Sequence, residues 1–416
     1  MDASQLLDRA NLLLEQRRIN DCINHLKKAL EADPENSSAL ALYSRCFFAK
    51  HQYDEGIETI QRAISLNPNN AYYFYLLGFG YYKKDIFFAA KDNLNKAIHL
   101  GPYTAEFFGL LSYVYLEEKD FNRALEKSNE GLQIEAENII CLNARSRALT
   151  KLNKKNEARE TMKTALQNDP DNEFTHTTVG WNLLERGVNK EAATHFREAL
   201  RIDPDLGSAK TGLKEALKSK IPPYKWLLQY SFWLHNKGKN FRWAFVIFIY
   251  IGVRIVVALS QTNSEFKPIG ILIAGCYFTF IAISWVINPV ANLFLFFHPQ
   301  GKYALDHREK WNAIGFLICI LSGMAVISLS ALVIHEKEQS GNFLLAGFAI
   351  LSLCVPVGHM DFPLRLKENS VSQWFAISLI ILACVLLILS ITTITTSFIL
   401  FFVLYCLSFI GYTWSR

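Results

Sequence analysis

AYYFYLLGFGYYKKDIFFAAKDNLNKAIHLGP, residues 71–102, sets the frame for the first half of the chain. Its Gly78, Tyr81, Ala90, Leu94, Ala97 and Pro102 recur in kind at a fixed step of 34 residues in both directions. Prolines mark the rungs at Pro34, Pro68, Pro102, Pro170 and Pro204, and Ala136 stands on the vacant one. One small column runs Ala10, Ser44, Gly78, Ser112, Ser146, Gly180. A second runs Cys22, Gly56, Ala90, Ala124, Ala158, Ala192, and a third Ala29, Ala63, Ala97, Gly131, Ala165, Ala199. Large residues keep their own columns at Leu13, Phe47, Tyr81, Tyr115, Leu149, Leu183 and at Leu26, Ile60, Leu94, Ser128, Met162, Phe196. Small residues at a fixed step let two helices approach closely, and large ones fill the layer between neighbours. A proline at each rung stops one helix before the next begins. The pattern predicts six helix hairpins over residues 3–204.

The turns agree with this. Asp33-Pro34-Glu35-Asn36, Asn67-Pro68-Asn69-Asn70 and Asp169-Pro170-Asp171-Asn172 place Asp or Asn before proline, which starts a turn, and polar residues after it that can cap the next helix. Leu206–Lys218 predicts one more helix, polar on its outer side as an open solenoid end requires. The whole pattern resembles the tetratricopeptide repeat (TPR). The third rung carries it through Leu77-Gly78, Tyr81, Ala90, Leu94, Ala97 and Pro102, and the sixth through Gly180, Leu183, Ala192, Phe196, Ala199 and Pro204. The fourth departs most, with Ser128 and Ala136 at slots that are usually large and proline.

The resemblance covers about half the chain. It implies an all-α superhelical solenoid that binds protein partners and has no chemistry of its own. It also implies that the first helix of each pair lines a concave face. That face would show Tyr72, Tyr75, Phe79 and Tyr82, with Arg45, Phe48, Tyr113, Arg147 and Trp181 on neighbouring rungs. Aromatics with arginine are the usual hot-spot chemistry of interfaces. TPR domains that grip chaperone carboxylates use Lys, Asn and Arg here. Leu7, Leu42, Tyr72 and Leu76 occupy most of those slots and only Asn11 is in place, so that partner class is not expected.

Charge separates the halves. Residues 1–220 hold 30 of the 43 Lys+Arg and 31 of the 38 Asp+Glu, so the array is nearly neutral and the remainder is basic. A neutral array argues against nucleic acid as its ligand. Eight cysteines include no C-x-x-C pair, which suggests neither a disulfide framework nor a zinc site, and no cofactor is implied. The first residues lack an apolar signal core, so the repeats are expected to face the cytosol.

Three domains follow: 1–220, the solenoid with its capping helix; 221–240, an interfacial elbow; and 241–416, a membrane domain. In the elbow, Trp226, Tyr230 and Trp233 share one helical face beside Lys225 and Lys237, which suits a helix lying in the bilayer surface. Spans are expected at Phe241–Ser260, Ile269–Ile287, Trp311–Ile334 and Phe343–Val357, with Asn288-Pro289 ending the second. Trp374–Trp414 carries no charge over 41 positions, too long for one helix across a core of about 30 Å and enough for two joined near Thr392–Ser397. Six spans with basic residues on the repeat side put both termini in the cytosol, as in a bacterial inner-membrane protein. Ile287–Leu293 followed by Gly301–Leu305 resembles a segment of bacterial membrane proteins that join a cytosolic TPR array to a multi-span C-terminal domain.

Chemistry in that half rests on little. Arg254 falls within the first span, where an arginine is costly and by default a functional candidate. His359 and Asp361 pair an imidazole with a carboxylate at a cytosolic edge, with no third ligand for a metal. No H-E-x-x-H, G-x-S-x-G, P-loop or dinucleotide-binding glycine pattern is present. The expected function is a membrane-anchored scaffold, not an enzyme, that holds a protein or peptide in its groove at a lipid bilayer. The alternative is a membrane-embedded enzyme or transporter that the array serves.

Overall fold

The structure, a computed structural model, describes residues 3–237, 239–262, 267–298, 301–332, 337–360, 371–391 and 395–415. Among these, all regular structure is helical. The chain divides into two compact units, Met1–Arg186 with Arg201–Pro204, and Gly187–Leu200 with Asp205–Arg416.

Helices in the repeat region come in pairs of 13 and 14 residues. The first three pairs are α1 (Ala3–Glu15) and α2 (Ile19–Ala32), α3 (Ser37–Ala49) and α4 (Tyr53–Leu66), α5 (Ala71–Lys83) and α6 (Phe87–Leu100). The next two are α7 (Ala105–Glu117) and α8 (Phe121–Ile134), α9 (Ile139–Lys151) and α10 (Lys155–Asn168); α11 (Glu173–Glu185) follows in the first unit, and α12 (Asn189–Ile202) lies mostly in the second. The expected caps form. Asn36, Asn138 and Asn172 each accept the backbone N–H three residues on, and each donates back to an acid three residues earlier, Asp33, Glu135 and Asp169. Each such cap stabilises its helix by about 1 kcal/mol.

Within a pair the turn is a Schellman motif. Backbone N–H of Arg18, Gln52, Ile86, Asp120 and Lys154 donates to the carbonyl five residues back, at Leu13, Phe47, Tyr81, Tyr115 and Leu149. The motif needs one left-handed residue, and Arg17, His51, Asp85, Lys119, Asn153 and Gly187 supply it with φ of +58° to +79°. Only the last is the glycine that such a position favours. Packing follows the columns. Ala29, Ala63, Ala97, Leu26, Ile60 and Leu94 are fully buried. A Cβ on Gly78 would lie 2.8 Å from Leu94 Cγ, so at the α5–α6 seam a larger residue would push Leu94 aside. The doubtful fourth rung is regular: Ser128 is buried and its hydroxyl donates to the Leu125 carbonyl at 2.9 Å.

The second unit contains α13 (Gly207–Lys218), α14 (Pro222–His235), α15 (Lys239–Thr262), α16 (Lys267–Phe297) and the one-turn α17 (Gly301–Ala304). It continues with α18 (His307–Leu332), α19 (Lys337–Ser352), α20 (Cys354–Val357), α21 (Val371–Ile391) and α22 (Thr395–Ser415). Four helices, Lys267–Phe297, His307–Ala331, Gln339–Val357 and Val371–Ile391, are long and apolar enough to cross a membrane. Ile247–Ser260 and Ser397–Tyr412 are shorter apolar stretches within α15 and α22. The interior mixes small residues, with Ala346, Ala349, Ala376 and Ala383 at or near zero exposure, and large ones such as Leu379, Leu386 and Phe398, whereas Ile318, Leu321, Ile381, Ile388, Leu400 and Leu407 stand outward.

Two expectations fail here. Pro289 does not end the second apolar helix, because α16 continues to Phe297. The missing N–H weakens one turn, but the ring is seated against Gly358, where a Cβ would lie 2.4 Å from Pro289 Cγ. The fourth apolar helix begins at Lys337 instead of Phe343 and is interrupted after Ser352. Pro356 has no N–H for the Ser352 carbonyl. At that break the Tyr405 hydroxyl lies 2.5 Å from Ser352 Oγ and donates to the Ala349 carbonyl at 2.8 Å. The elbow helix runs from Pro222 to His235, with its prolines in the first turn, where they cost no hydrogen bond.

α13 is built into this second unit. Leu217 packs with Leu295 and Leu305, and Tyr224 of α14 packs with Ile287 and Ala291 of α16. Lys214 pairs with Glu309 at 2.7 Å, both side chains mostly buried. Tyr224 donates to Glu215, and Lys218, 3% exposed, lies 5.7 Å from the Tyr224 ring centroid. Burial pulls the Lys218 ammonium below its ordinary pKa, and burial next to Glu215 pushes the Tyr224 phenol up. α18 opens with a reciprocal cap. Glu309 N–H donates to Asp306 Oδ1 at 2.8 Å, and Asp306 N–H to Glu309 Oε2 at 3.1 Å.

Candidate functional site

The first helices of the pairs place the aromatic strip. α5 is AYYFYLLGFGYYK, and helical spacing puts Tyr72, Tyr75, Phe79 and Tyr82 along one side while Tyr73, Leu76 and Leu77 turn inward. Tyr72 is 40% exposed, and Tyr75, Phe79 and Tyr82 are half-buried. The rings form a ladder. Tyr72 stacks on Tyr75 at 5.7 Å between centroids, and Tyr75 stacks on Phe107 of α7 at 5.2 Å. Phe79 meets Phe48 of α3 edge-on at 5.6 Å. Offset and edge-on pairs of this kind add about 0.5–1.5 kcal/mol each beyond burial.

Cations sit over other rings of the same helices. Lys83 Nζ lies 5.3 Å from the Phe79 centroid and 5.7 Å from that of Tyr82. Arg147 of α9 covers the Tyr113 ring of α7 at 5.3 Å and pairs with Glu117 at 3.3 Å. Burial raises the Tyr75 phenol well above the usual range and pushes Tyr82 up to about 12, and it lowers the Lys83 ammonium. The phenols therefore stay neutral and can donate hydrogen bonds at any physiological pH.

The structure thus gathers Tyr72, Tyr75, Phe79, Tyr82, Tyr113 and Arg147 on three successive rungs, with half-buried Arg45 acting electrostatically on Tyr75. Trp181 is half-buried on α11. Arg254 is exposed on α15. His359 is half-buried after α20, and its Nδ1–H donates to the Val355 carbonyl at 2.8 Å. Asp361 lies outside the described residues. Among the described residues no three His, Cys, Asp or Glu side chains are placed to share a metal ion.

Sequence reasoning missed Arg17. From the turn after α1, its Nη2 lies 2.5 Å from Glu173 Oε1, and its Nη1 lies 2.6 Å from Asp203 Oδ2. Arg17 is largely exposed, whereas both carboxylates are nearly buried. The hydrogen bond to Asp203 holds its guanidinium above the ordinary value. The one available signal was its column of left-handed turn residues, which shares a conformation and no chemistry.

Residues 13–78 and 141–172 match the tetratricopeptide-repeat family. The solenoid is of TPR type. Among solved structures, the chain is similar to the APC/C hetero-tetramer Cut9–Hcn1, at 20% identity and a TM-score of 0.46, over 52% of this chain and 43% of that one. It therefore spans less than half the length of that relative. It is also similar to TTC0263, a thermophilic TPR protein of Thermus thermophilus, at 18% identity and TM-score 0.41, over 44% of this chain and 98% of that one. PilF of Pseudomonas aeruginosa matches at 19% identity and TM-score 0.40, over 50% and 95% respectively. No curated protein matches the chain.

Proposed function

We propose that this protein is a membrane-anchored scaffold whose TPR groove holds a protein or peptide partner, the usual work of such repeats. The observation that carries the reading is the ring ladder Tyr72–Tyr75–Phe107 on α5 and α7, with Lys83 over Phe79 and Tyr82 of the same α5 and Arg147 over Tyr113 of the same α7. It places half-exposed aromatics and cations on one continuous face, which is hot-spot chemistry. The site is Tyr72, Tyr75, Phe79, Tyr82, Arg45, Tyr113, Arg147 and Trp181. Residues 1–220 form the array, 221–240 an elbow in the bilayer surface, and 241–416 six spans, with α15 and α22 completing the four long apolar helices. Basic residues beside the repeats set both termini in the cytosol, in a bacterial inner membrane. Photo-crosslinking from positions 75, 79 and 82 in cells tests this. One dominant partner, lost with Arg147→Ala, is expected; no specific capture would refute the groove.

A second reading, that the apolar half transports or catalyses, draws support from the interruption between α19 and α20 and the Tyr405–Ser352 contact beside it. Broken helices inside membranes are where transporters bind their substrates. Replacing Arg254, His359 and Asp361 together by alanine should then abolish activity. A variant that still supports the wild-type phenotype removes this reading.

A further inference from the structure

We propose that the groove is closed into a ring by Arg17, and that its partner is an extended, acidic chain segment admitted sideways when this latch parts. The partner half of the inference rests on the scaffold reading above. Topology carries the ring. Consecutive helices of the first unit pack in order, from α1 on α2 and α3 through α9 and α10 on α11. Arg17 then joins the turn after α1 to Glu173, the first residue of α11, and to Asp203, across 156 and 186 residues of chain. A run of neighbours whose first member touches its last has no open side.

The latch suits gating better than permanent closure. It is one long side chain, largely exposed, spanning to two carboxylates that crowd each other when it leaves. The guanidinium end of the pair is exposed and salt-screened, so salt and an incoming carboxylate compete for it. A folded domain would have to break the ring to reach Tyr75 and Tyr82, whereas a single extended strand of chain need only pass the parted latch. Charge selects among strands. Arg147 is matched by Glu117 and Lys151 by Glu185, whereas among the described residues no carboxylate stands within 4.0 Å of Arg45 or Lys83, Glu117 acting on Lys83 and Glu106 on Tyr75 from farther off. Both stand by the ladder, Arg45 close enough to act on Tyr75 and Lys83 over Phe79 and Tyr82. An incoming carboxylate would neutralise them.

The test uses the full chain in its membranes, with Arg17→Cys and Asp203→Cys joined by a short bis-maleimide that contains a disulfide, and a photoreactive phenylalanine in place of Tyr75. The cysteine pair should crosslink when neither single variant does. Capture from position 75 should fall several-fold once locked and return on reduction, and Arg17→Ala should abolish its salt dependence. Failure of the pair to crosslink overturns the ring, and capture indifferent to the lock overturns the gate. No capture even before locking would refute the scaffold reading and the partner with it, while crosslinking still decides the ring.

Discussion

Leu94 and Leu400 are chemically identical, yet one is fully buried at the α5–α6 seam and the other is 60% exposed on α22. The contrast runs through the whole chain. In the array, large apolar residues point inward at a 34-residue step and polar ones cover the outside, so water drives the assembly. In the apolar half large apolar residues lie both inside, as Leu379, Leu386 and Phe398 do, and outside. Alanines at positions 346, 349, 376 and 383 lie inside, and Ile381, Ile388, Leu400 and Leu407 lie outside. The alanines let neighbouring helices approach closely.

The largest effect separates these regimes. Leu94→Ala should lower the unfolding free energy by about 3 kcal/mol, through lost transfer energy plus a cavity. Leu400→Ala should change it by less than about 0.5 kcal/mol, as at an uncrowded surface position. Denaturation of the detergent-solubilised chain, followed by circular dichroism, reads both, and equal losses would break the comparison. Next comes the ion pair that fixes α13. Glu309→Gln leaves Lys214 mostly buried without its charge partner and should cost about 2 kcal/mol. The double change Lys214→Met with Glu309→Leu should recover most of it, and a strictly additive cycle would show that the two groups do not interact.

These outcomes bear on what could be read in advance. Prolines 34, 68, 102, 170 and 204 and the alanine columns were legible because each repeats one chemical demand, a stop or a close approach. The left-handed column Arg17, His51, Asp85, Lys119, Asn153 was not, since it repeats only a dihedral angle. Arg17 reaching Glu173 follows from small rotations accumulated over successive rungs, and no single rung encodes their sum. Pro289 was misread because a local rule for proline was overridden by a notch at Gly358, far along the chain. The ladder residues were found as a set, but their partner Phe107 was not. Its stacking on Tyr75 depends on the neighbouring rung.

Alkali should act on the array through its phenols. Tyr82 has its pKa raised from 10.0 to about 12 by burial, so the folded state keeps a proton that the unfolded chain releases earlier. The stabilisation is complete below pH 10 and is lost as pH rises toward 12. Tyrosinate absorbance should therefore lag behind that of free tyrosine until the array unfolds, and Tyr82→Phe should move the unfolding to higher pH. An unchanged midpoint would show that Tyr82 titrates freely. A loss similar to that of Glu309→Gln, about 2 kcal/mol, is expected from Arg17→Glu, which takes the cation from two nearly buried carboxylates and sets a like charge beside them. Fluorescence transfer between dyes on α1 and α11 should also fall in this variant. No change in transfer would mean that these helices meet without Arg17.

A helical array ordinarily melts from its tips, because a terminal rung has one neighbour where an inner rung has two. Here the first rung has a second contact, since Arg17 holds it to Glu173 of α11. Backbone amides of α1 and α2 should then exchange with deuterated solvent at low salt more nearly at the pace of the middle rungs, and fall back to the pace of a free tip in high salt or in Arg17→Ala.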